Sequence, residues 1–181
     1  FDVQSPGSGF AGLSFATGLE KVNYTSVDVV FDSVATPSIL VEGTDGNDTI
    51  SYAGDVRVND FARINFLNKS QLQIEGFGGN DNISLNGIAA PPVGLTSISV
   101  IGGDPTAGSD TLTVDGTSGS DALAVTSTAA DSATITGAQG VAFISATQIE
   151  HLTIDGHGGN DALTVATPSG GDVITLDPGA H

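Results

Sequence analysis

Four short segments of this chain carry an acid at each end and glycines between, always in the same order. They are Glu42-Gly-Thr-Asp-Gly-Asn-Asp48, Glu75-Gly-Phe-Gly-Gly-Asn-Asp81, Asp115-Gly-Thr-Ser-Gly-Ser-Asp121 and Asp155-Gly-His-Gly-Gly-Asn-Asp161. A longer variant runs from Gly102-Gly103-Asp104 to Gly108-Ser109-Asp110, with three extra residues around Pro105. Glycine permits positive φ, so each segment can turn sharply with its carbonyls pointing inward. Two carboxylates six residues apart then meet across the turn, with carbonyls and an Asn or Ser oxygen between them. Such an all-oxygen, flexible, anionic cage suits Ca²⁺, which takes roughly 6–8 ligands. The expected ligands are Glu42, Asp45, Asn47, Asp48, Glu75, Asn80, Asp81, Asp104, Asp110, Asp115, Asp121, Asp155, Asn160 and Asp161. Zn²⁺ is disfavoured because the chain has no Cys and no well-spaced His. Mg²⁺, which demands a stricter octahedron, ranks second. Gly-Asn-Asp is also ordinary turn chemistry, but a turn does not need an acid at both ends in four copies.

The elements that must hold these loops are strands. Before the loops stand Ile39-Leu-Val41, Leu72-Gln-Ile74, Leu112-Thr-Val114 and Leu152-Thr-Ile154; after them stand Ile50-Ser-Tyr52, Ile83-Ser-Leu85, Leu123-Ala-Val125 and Leu163-Thr-Val165. Alternation of apolar with small polar residues is the period of a strand with one buried face. No long helical periodicity appears. The fold expected is all-β: a parallel β-solenoid or β-roll-like module with the acid loops in a ladder along one edge. An antiparallel β-sandwich with the loops as hairpin turns is the alternative.

At this point a family resemblance is visible. Gly43-Thr-Asp-Gly-Asn-Asp-Thr-Ile-Ser51 resembles the nonapeptide of RTX (hemolysin-type) calcium repeats, Gly-Gly-x-Gly-x-Asp-x-apolar-x. Gly76–Ser84 and Gly156–Thr164 fit nearly as well. The resemblance implies secretion, calcium-dependent folding and a parallel β-roll. In that family the nonapeptides run in tandem, whereas here the loop glycines Gly43, Gly76, Gly116 and Gly156 are 33, 40 and 40 residues apart. The longer segments also resemble repeats of very large bacterial surface proteins.

A second register is longer. Ala35-Thr-Pro-Ser38 recurs as Ala166-Thr-Pro-Ser169, and Leu19-Glu-Lys-Val22 is echoed by Ile149-Glu-His-Leu152. The 181 residues thus read as one repeat-built module, with 1–38 overlapping the next period of roughly 130 residues. Asp172-Val-Ile-Thr-Leu176 is a strand signal near the end, so uncapped ends and head-to-tail joining, or tandem copies, are expected. The absence of an initiator Met or a signal-peptide pattern at Phe1 suggests a processed or excised chain.

Charge narrows the partners. There are 21 acidic residues against 4 basic ones, and none of the basic residues lies beyond Lys69. Such self-repulsion calls for an external cation, and nucleic acid is excluded as a natural partner, since phosphate binding needs Lys and Arg. No stretch approaches the ~18 apolar residues of a membrane span. The three histidines, His151, His157 and His181, sit in no motif with a nucleophile, and repeated identical acids suit a ladder of ions better than one catalytic site. The expectation is a non-enzymatic extracellular structural module of a surface layer, adhesin stalk or filament. A second expectation is a module that presents a Thr-rich face, suggested by Thr111-Leu-Thr113 and Thr134-Ile-Thr136, to cell-surface glycans, other carbohydrate or ice.

Overall fold

A computed structural model describes residues 2–5, 8–15, 18–24, 27–88, 90–104 and 110–167; of those up to Tyr24, and of Asp104, only the backbone placement is described. The chain is all-β, with no helix among the described residues. Among the described residues seventeen strands form two mixed sheets, neither of them closed. The strand signal at Asp172–Leu176, Pro168 and Ser169 of the repeat Ala166–Ser169, and the centre of the long loop at 105–109 lie outside the described residues.

One sheet has ten strands. In spatial order they are β17 (Ala162–Ala166), β13 (Ala122–Ala129), β14 (Ser132–Thr136), β15 (Phe143–Thr147), β11 (Ser97–Asp104), β9 (Gln71–Gly78), β5 (Ser38–Glu42), β1 (Asp2–Ser5), β2 (Ser8–Phe15) and β3 (Gly18–Tyr24). The other has seven: β16 (His151–Asp155), β12 (Thr111–Asp115), β10 (Asn82–Leu85), β6 (Thr49–Tyr52), β7 (Val56–Val58), β8 (Arg63–Phe66) and β4 (Val29–Asp32).

Period-2 sequence becomes lateral order through the register. In the ten-stranded sheet β5, β9, β11 and β15 pair in parallel, which aligns Ile39, Leu72, Ile98 and Ile144 in one buried rank. Val41, Ile74, Val100 and Ala146 form the next. In the seven-stranded sheet β6, β10, β12 and β16 pair likewise, aligning Ile50, Ile83, Leu112 and Leu152, then Tyr52, Leu85, Val114 and Ile154. A slip of one residue would send each rank to the solvent face, so burial fixes the register. These ranks join in a single apolar cluster between the sheets.

Antiparallel hairpins absorb the unequal spacing of the repeats. The strands β7 and β8 extend one turn of the chain, and β14 extends another between β13 and β15. Lys69, wholly buried, ties down the start of β9: its Nζ donates to Val34 O and lies 3.1 Å from Asp32 Oδ1.

The acid loops are corners between sheets, since the strands on either side of each loop belong to different sheets. They occupy two edges instead of the single edge expected. Loops 42–48, 75–81 and 102–110 lead from the ten-stranded sheet to the seven-stranded one; loops 115–121 and 155–161 lead back. The 40-residue step from Gly76 to Gly116 therefore joins opposite corners, and the true neighbour of loop 75–81 is the long variant ending at Asp110.

Candidate functional site

Each corner ends on an acid whose side chain turns inward. Asp48, Asp81 and Asp110 immediately precede β6, β10 and β12 and are buried. The Asp48 amide donates to Asp81 Oδ1 at 2.8 Å, and the Asp81 amide to Asp110 Oδ1 at 2.8 Å. The Asp110 amide in turn donates to Glu150 Oε2 at 2.8 Å. The Asp81, Asp110 and Glu150 carboxylates thus hold the backbone of the preceding turn, and Asn82, Thr111 and His151 amides complete the rung by donating to the carbonyls of Asp48, Asp81 and Asp110. At the other corner the Asp121 amide donates to Asp161 Oδ1 at 3.0 Å. These are charge-assisted bonds, roughly twice as strong as neutral ones.

The glycine after each first acid makes room for the second. A Cβ on Gly43 would lie 2.8 Å from Asp48 Oδ2, and one on Gly116 or Gly156 2.8 Å from Oδ2 of Asp121 or Asp161. At Gly76 and Gly102 it would overlap the carboxylates of Asp81 and Asp110 outright. The acid-Gly-x-x-Gly-x-Asp spacing is therefore a packing rule as well as a charge pattern. In consequence the two acids of one loop point differently: Asp48 and Asp81 face inward, while Glu42 and Glu75 stand half-exposed on the other face of their strands. The inner acids Asp81 and Asp110 each accept the amide of the preceding turn.

The second carboxylate oxygen distinguishes two kinds of loop. In loops 42–48 and 115–121 it accepts the amide and hydroxyl of the third residue: Thr44 to Asp48 Oδ2 at 2.7 and 3.0 Å, Thr117 to Asp121 Oδ2 at 2.7 and 3.1 Å. In loops 75–81 and 155–161 the third residue is left-handed instead, Phe77 at φ 75° and His157 at φ 58°. Asp81 Oδ2 is then buried without a hydrogen-bond partner. Burial pushes the Asp81 carboxyl up to about 6; the Asp48 amide opposes this, and the Asp110 and Asp48 carboxylates add to it. Asp110 is raised too, by burial first and by Glu150, against the Asp81 amide.

The outer acids pair laterally. Glu42 lies beside Glu75 in the β5–β9 register, and Asp115 beside Asp155 in the β12–β16 register. At the second pair His157 Nε2 lies 3.2 Å from Asp115 Oδ2, and the His157 amide donates to Asp155 Oδ1 at 2.8 Å. The Asp115 carboxylate, with Asp155 beside it, raises the His157 imidazole above its ordinary range. Asp115, Asp155 and His157 are the one place among the described residues where three such ligating side chains gather within 4.8 Å. Asp45 is exposed on the outer side of its loop; Asn47 accepts the Asn80 amide at 2.8 Å, and the Asn160 amide donates to Ser120 Oγ at 3.2 Å. The Asp104 side chain lies outside the described residues.

Several contributors were not in the sequence reading. Glu150 occupies the place of an inner Asp, and its signal was legible: Glu150-His-Leu-Thr153 repeats the acid-x-apolar-hydroxyl order of Asp110-Thr-Leu-Thr113. His157, which sits in no motif with a nucleophile, leans on Asp115. Gln139, buried with φ 55°, donates to the carbonyls of Leu85 and Asp115 at 2.8 and 3.1 Å and closes the corner between β10 and β12. Asn59 donates to Asp48 Oδ1 and accepts the Thr49 amide. Neither Gln139 nor Asn59 belongs to any repeat, so no pattern pointed to them. Among the described residues no helix is long and apolar enough to cross a membrane.

No protein-family model matches the chain, and searches of curated proteins and of solved structures return no match.

Proposed function

We propose that this chain is a segment of a parallel β-solenoid with a structural role outside the cell, locked by Ca²⁺ along its carboxylate corners. The observation that carries the reading is the inner ladder of Asp48, Asp81 and Asp110, with Asp81 Oδ2 buried and unpartnered. Three stacked buried carboxylates repel one another, and a buried charge without a counter-charge is costly. An oxygen-ligated divalent cation would relieve both terms, and the unpartnered Asp81 Oδ2 offers it a donor. Asp81 and Asp110 would hold it, aided by loop carbonyls. When bound, the ion would supply charge neutralisation and cross-linking of successive turns. Extracellular modules bind calcium with Kd on the order of 10⁻⁴–10⁻³ M, a range that only an exterior environment fills. The likeness to RTX nonapeptides supports the same reading.

The structural role rests on the last described strand, β17. Leu163 and Val165 occupy the core-facing positions of Leu123 and Val125 in the adjoining β13–β17 register. The first pair is 53% and 44% exposed, the second 2% and 9%. A further turn of the same kind, from a second copy or a tandem repeat, would bury them. Contact between unlike ends propagates without closing and gives a filament. Electron microscopy of the purified chain in millimolar calcium and in excess chelator tests this. Filaments that form with calcium and disperse with chelator are expected; monomers under both conditions would contradict self-joining.

A second reading has its own observation. Ser51, Ser84, Thr113 and Thr153 stand in lateral register on the outer face of the seven-stranded sheet. A hydroxyl rank of this kind fits carbohydrate or ice. Retention on immobilised glycans, lost in Thr113→Val, would favour that role.

A further inference from the structure

Six segments of the chain share one order: an acid, any residue, Ile or Leu, Ser or Thr, then an apolar residue. Four of them, Asp48–Tyr52, Asp81–Leu85, Asp110–Val114 and Glu150–Ile154, place their acid immediately before β6, β10, β12 and β16. These four strands pair in parallel without a shift of register, so hydroxyl lies beside hydroxyl and apolar beside apolar. A fifth segment, Asp161–Val165, leads into β17 of the ten-stranded sheet. The sixth, Asp172-Val-Ile-Thr-Leu176, lies outside the described residues. It also shares the Asp that closes the β12 and β16 segments, Asp177 matching Asp115 and Asp155.

The edge of β16 is where the pattern stops among the described residues. There β16 ends the seven-stranded sheet and pairs on one side only, with β12. Its core-facing Leu152 and Ile154 are half-buried, whereas Ile50, Ile83 and Leu112 in one rank and Tyr52, Leu85 and Val114 in the other are wholly buried. An open groove of about 180 Å³ runs along this edge, with Val125, Ala146, Ile149 and Leu152 as apolar walls and Glu150 beside them. Glu150 is also the last described acid of the inner ladder, in which the amides of Asp48, Asp81 and Asp110 each donate to the acid of the following turn.

We infer that this edge is the docking site of the chain's own segment Asp172–Asp177, which adds to β16 in parallel and brings the Asp172 carboxylate to the Glu150 amide. In that register Ile174 continues the rank of Leu152, Leu176 that of Ile154, and Thr175 the outer hydroxyl rank of Thr153. The connection selects this edge over that of β17. Only residues 167–171 separate β17 from Asp172, and a parallel neighbour of β17 would need a crossover of about a dozen residues or more. The β16 edge is within reach, at about 3.3 Å per residue: the end of β17 pairs with Val125 and Thr126 of β13, and Val125 lines the same groove as Glu150 and Leu152. A second copy offering the same pattern is the competing occupant. A segment tethered this closely has an effective concentration on the order of millimolar, which favours the chain's own. The inference rests on the geometry of the ladder and on no bound ion, and it leaves the β17 edge to the joining of copies.

The chain has no Cys, so a Thr153→Cys/Thr175→Cys pair reports the register directly. Adjacent strands lie about 4.8 Å apart, within the roughly 4.4–6.8 Å between Cα atoms that a disulfide takes. Oxidation of the full, folded chain should close an intrachain disulfide in the monomer, read by non-reducing mass and peptide mapping. Thr153→Cys/Ile174→Cys puts the second thiol on the opposite face and should stay reduced. An interchain disulfide would give the edge to a second copy; no disulfide, or equal closure of both pairs, would leave it without this strand. Each of these results overturns the inference. A measurement without cysteines stands beside it should the double variants fail to fold. Asp172→Ala should speed hydrogen exchange at the Glu150 amide by about tenfold or more relative to the Asp48 amide, as loss of a charge-assisted bond requires. An unchanged ratio in folded Asp172→Ala would equally overturn it.

Discussion

Replacing Asp81 by Asn separates two roles that the ladder combines. The amide side chain keeps an oxygen to accept the Asp48 amide, now held at 2.8 Å by Oδ1. It removes the charge and gives the unpartnered Oδ2 position a donor. In the metal-free protein the Asp81 carboxyl is raised from 3.8 to about 6, chiefly by burial. A folded-state value above the unfolded one means that the native state binds the proton more tightly. Stability from Asp81 is therefore fully present below pH ~3.8 and is lost as pH rises through about 6. Two units at 1.36 kcal/mol each set a ceiling of about 3 kcal/mol, and solvent screening at the corner reduces this to about 1–3 kcal/mol. In excess chelator at pH 7, Asp81→Asn should thus raise stability by that amount in urea unfolding, with the gain vanishing below pH 4. Calcium should reverse the sign. An ion bound only to the native state contributes ~2.7 kcal/mol at a hundredfold excess over Kd, and the variant forfeits it. Destabilisation by Asp81→Asn of equal size in calcium and in chelator would refute the argument, because the charge would then serve the backbone bond alone.

Other substitutions probe the packing beneath the site. Gly76→Ala drives a Cβ into the Asp81 carboxylate and Gly102 O, whereas Gly46→Ala meets nothing closer than Thr44 Oγ1 at 3.7 Å. The first should cost at least the ~1–3 kcal/mol of an overpacked core, and the second should leave the urea midpoint nearly unchanged. Lys69→Met removes the cation between Asp32 and Val34 O; breaking a buried pair costs about 3–5 kcal/mol, with the lower figure expected because Asp32 reaches solvent. Gln139→Ala strips the donor from Leu85 O and Asp115 O and should cost about 1–3 kcal/mol in the same assay.

The strands were legible because burial imposes a period of two, and Ile39, Leu72, Ile50 and Ile83 obey it without exception. Loop boundaries were legible as well, since only glycine admits the inner carboxylate beside positions 43, 76, 102, 116 and 156. What spacing along the chain hid was adjacency in space. Loops 75–81 and 115–121 share a pattern and a 40-residue step, yet an odd number of sheet crossings places them at opposite corners. Likewise an acid at each end of a loop suggested a closed cage, but alternation along β5 and β9 turns Glu42 and Glu75 to the face opposite Gly43 and Gly76. The role of His157 depended on β16 lying beside β12, a contact between residues 40 apart that local pattern does not reveal.

The central claim concerns the ladder and its cation, and the amides of Asp48, Asp81 and Asp110 report on both. Each donates to a carboxylate of the next turn. Native-state hydrogen exchange, measured residue by residue in millimolar calcium and in excess chelator, reads the stability of those rungs. The account predicts slow exchange at all three amides with calcium and a large acceleration on chelation, while the amide of Asp131, outside the acid corners, changes only as far as global stability changes. Equal protection of the three ladder amides with and without calcium would contradict it.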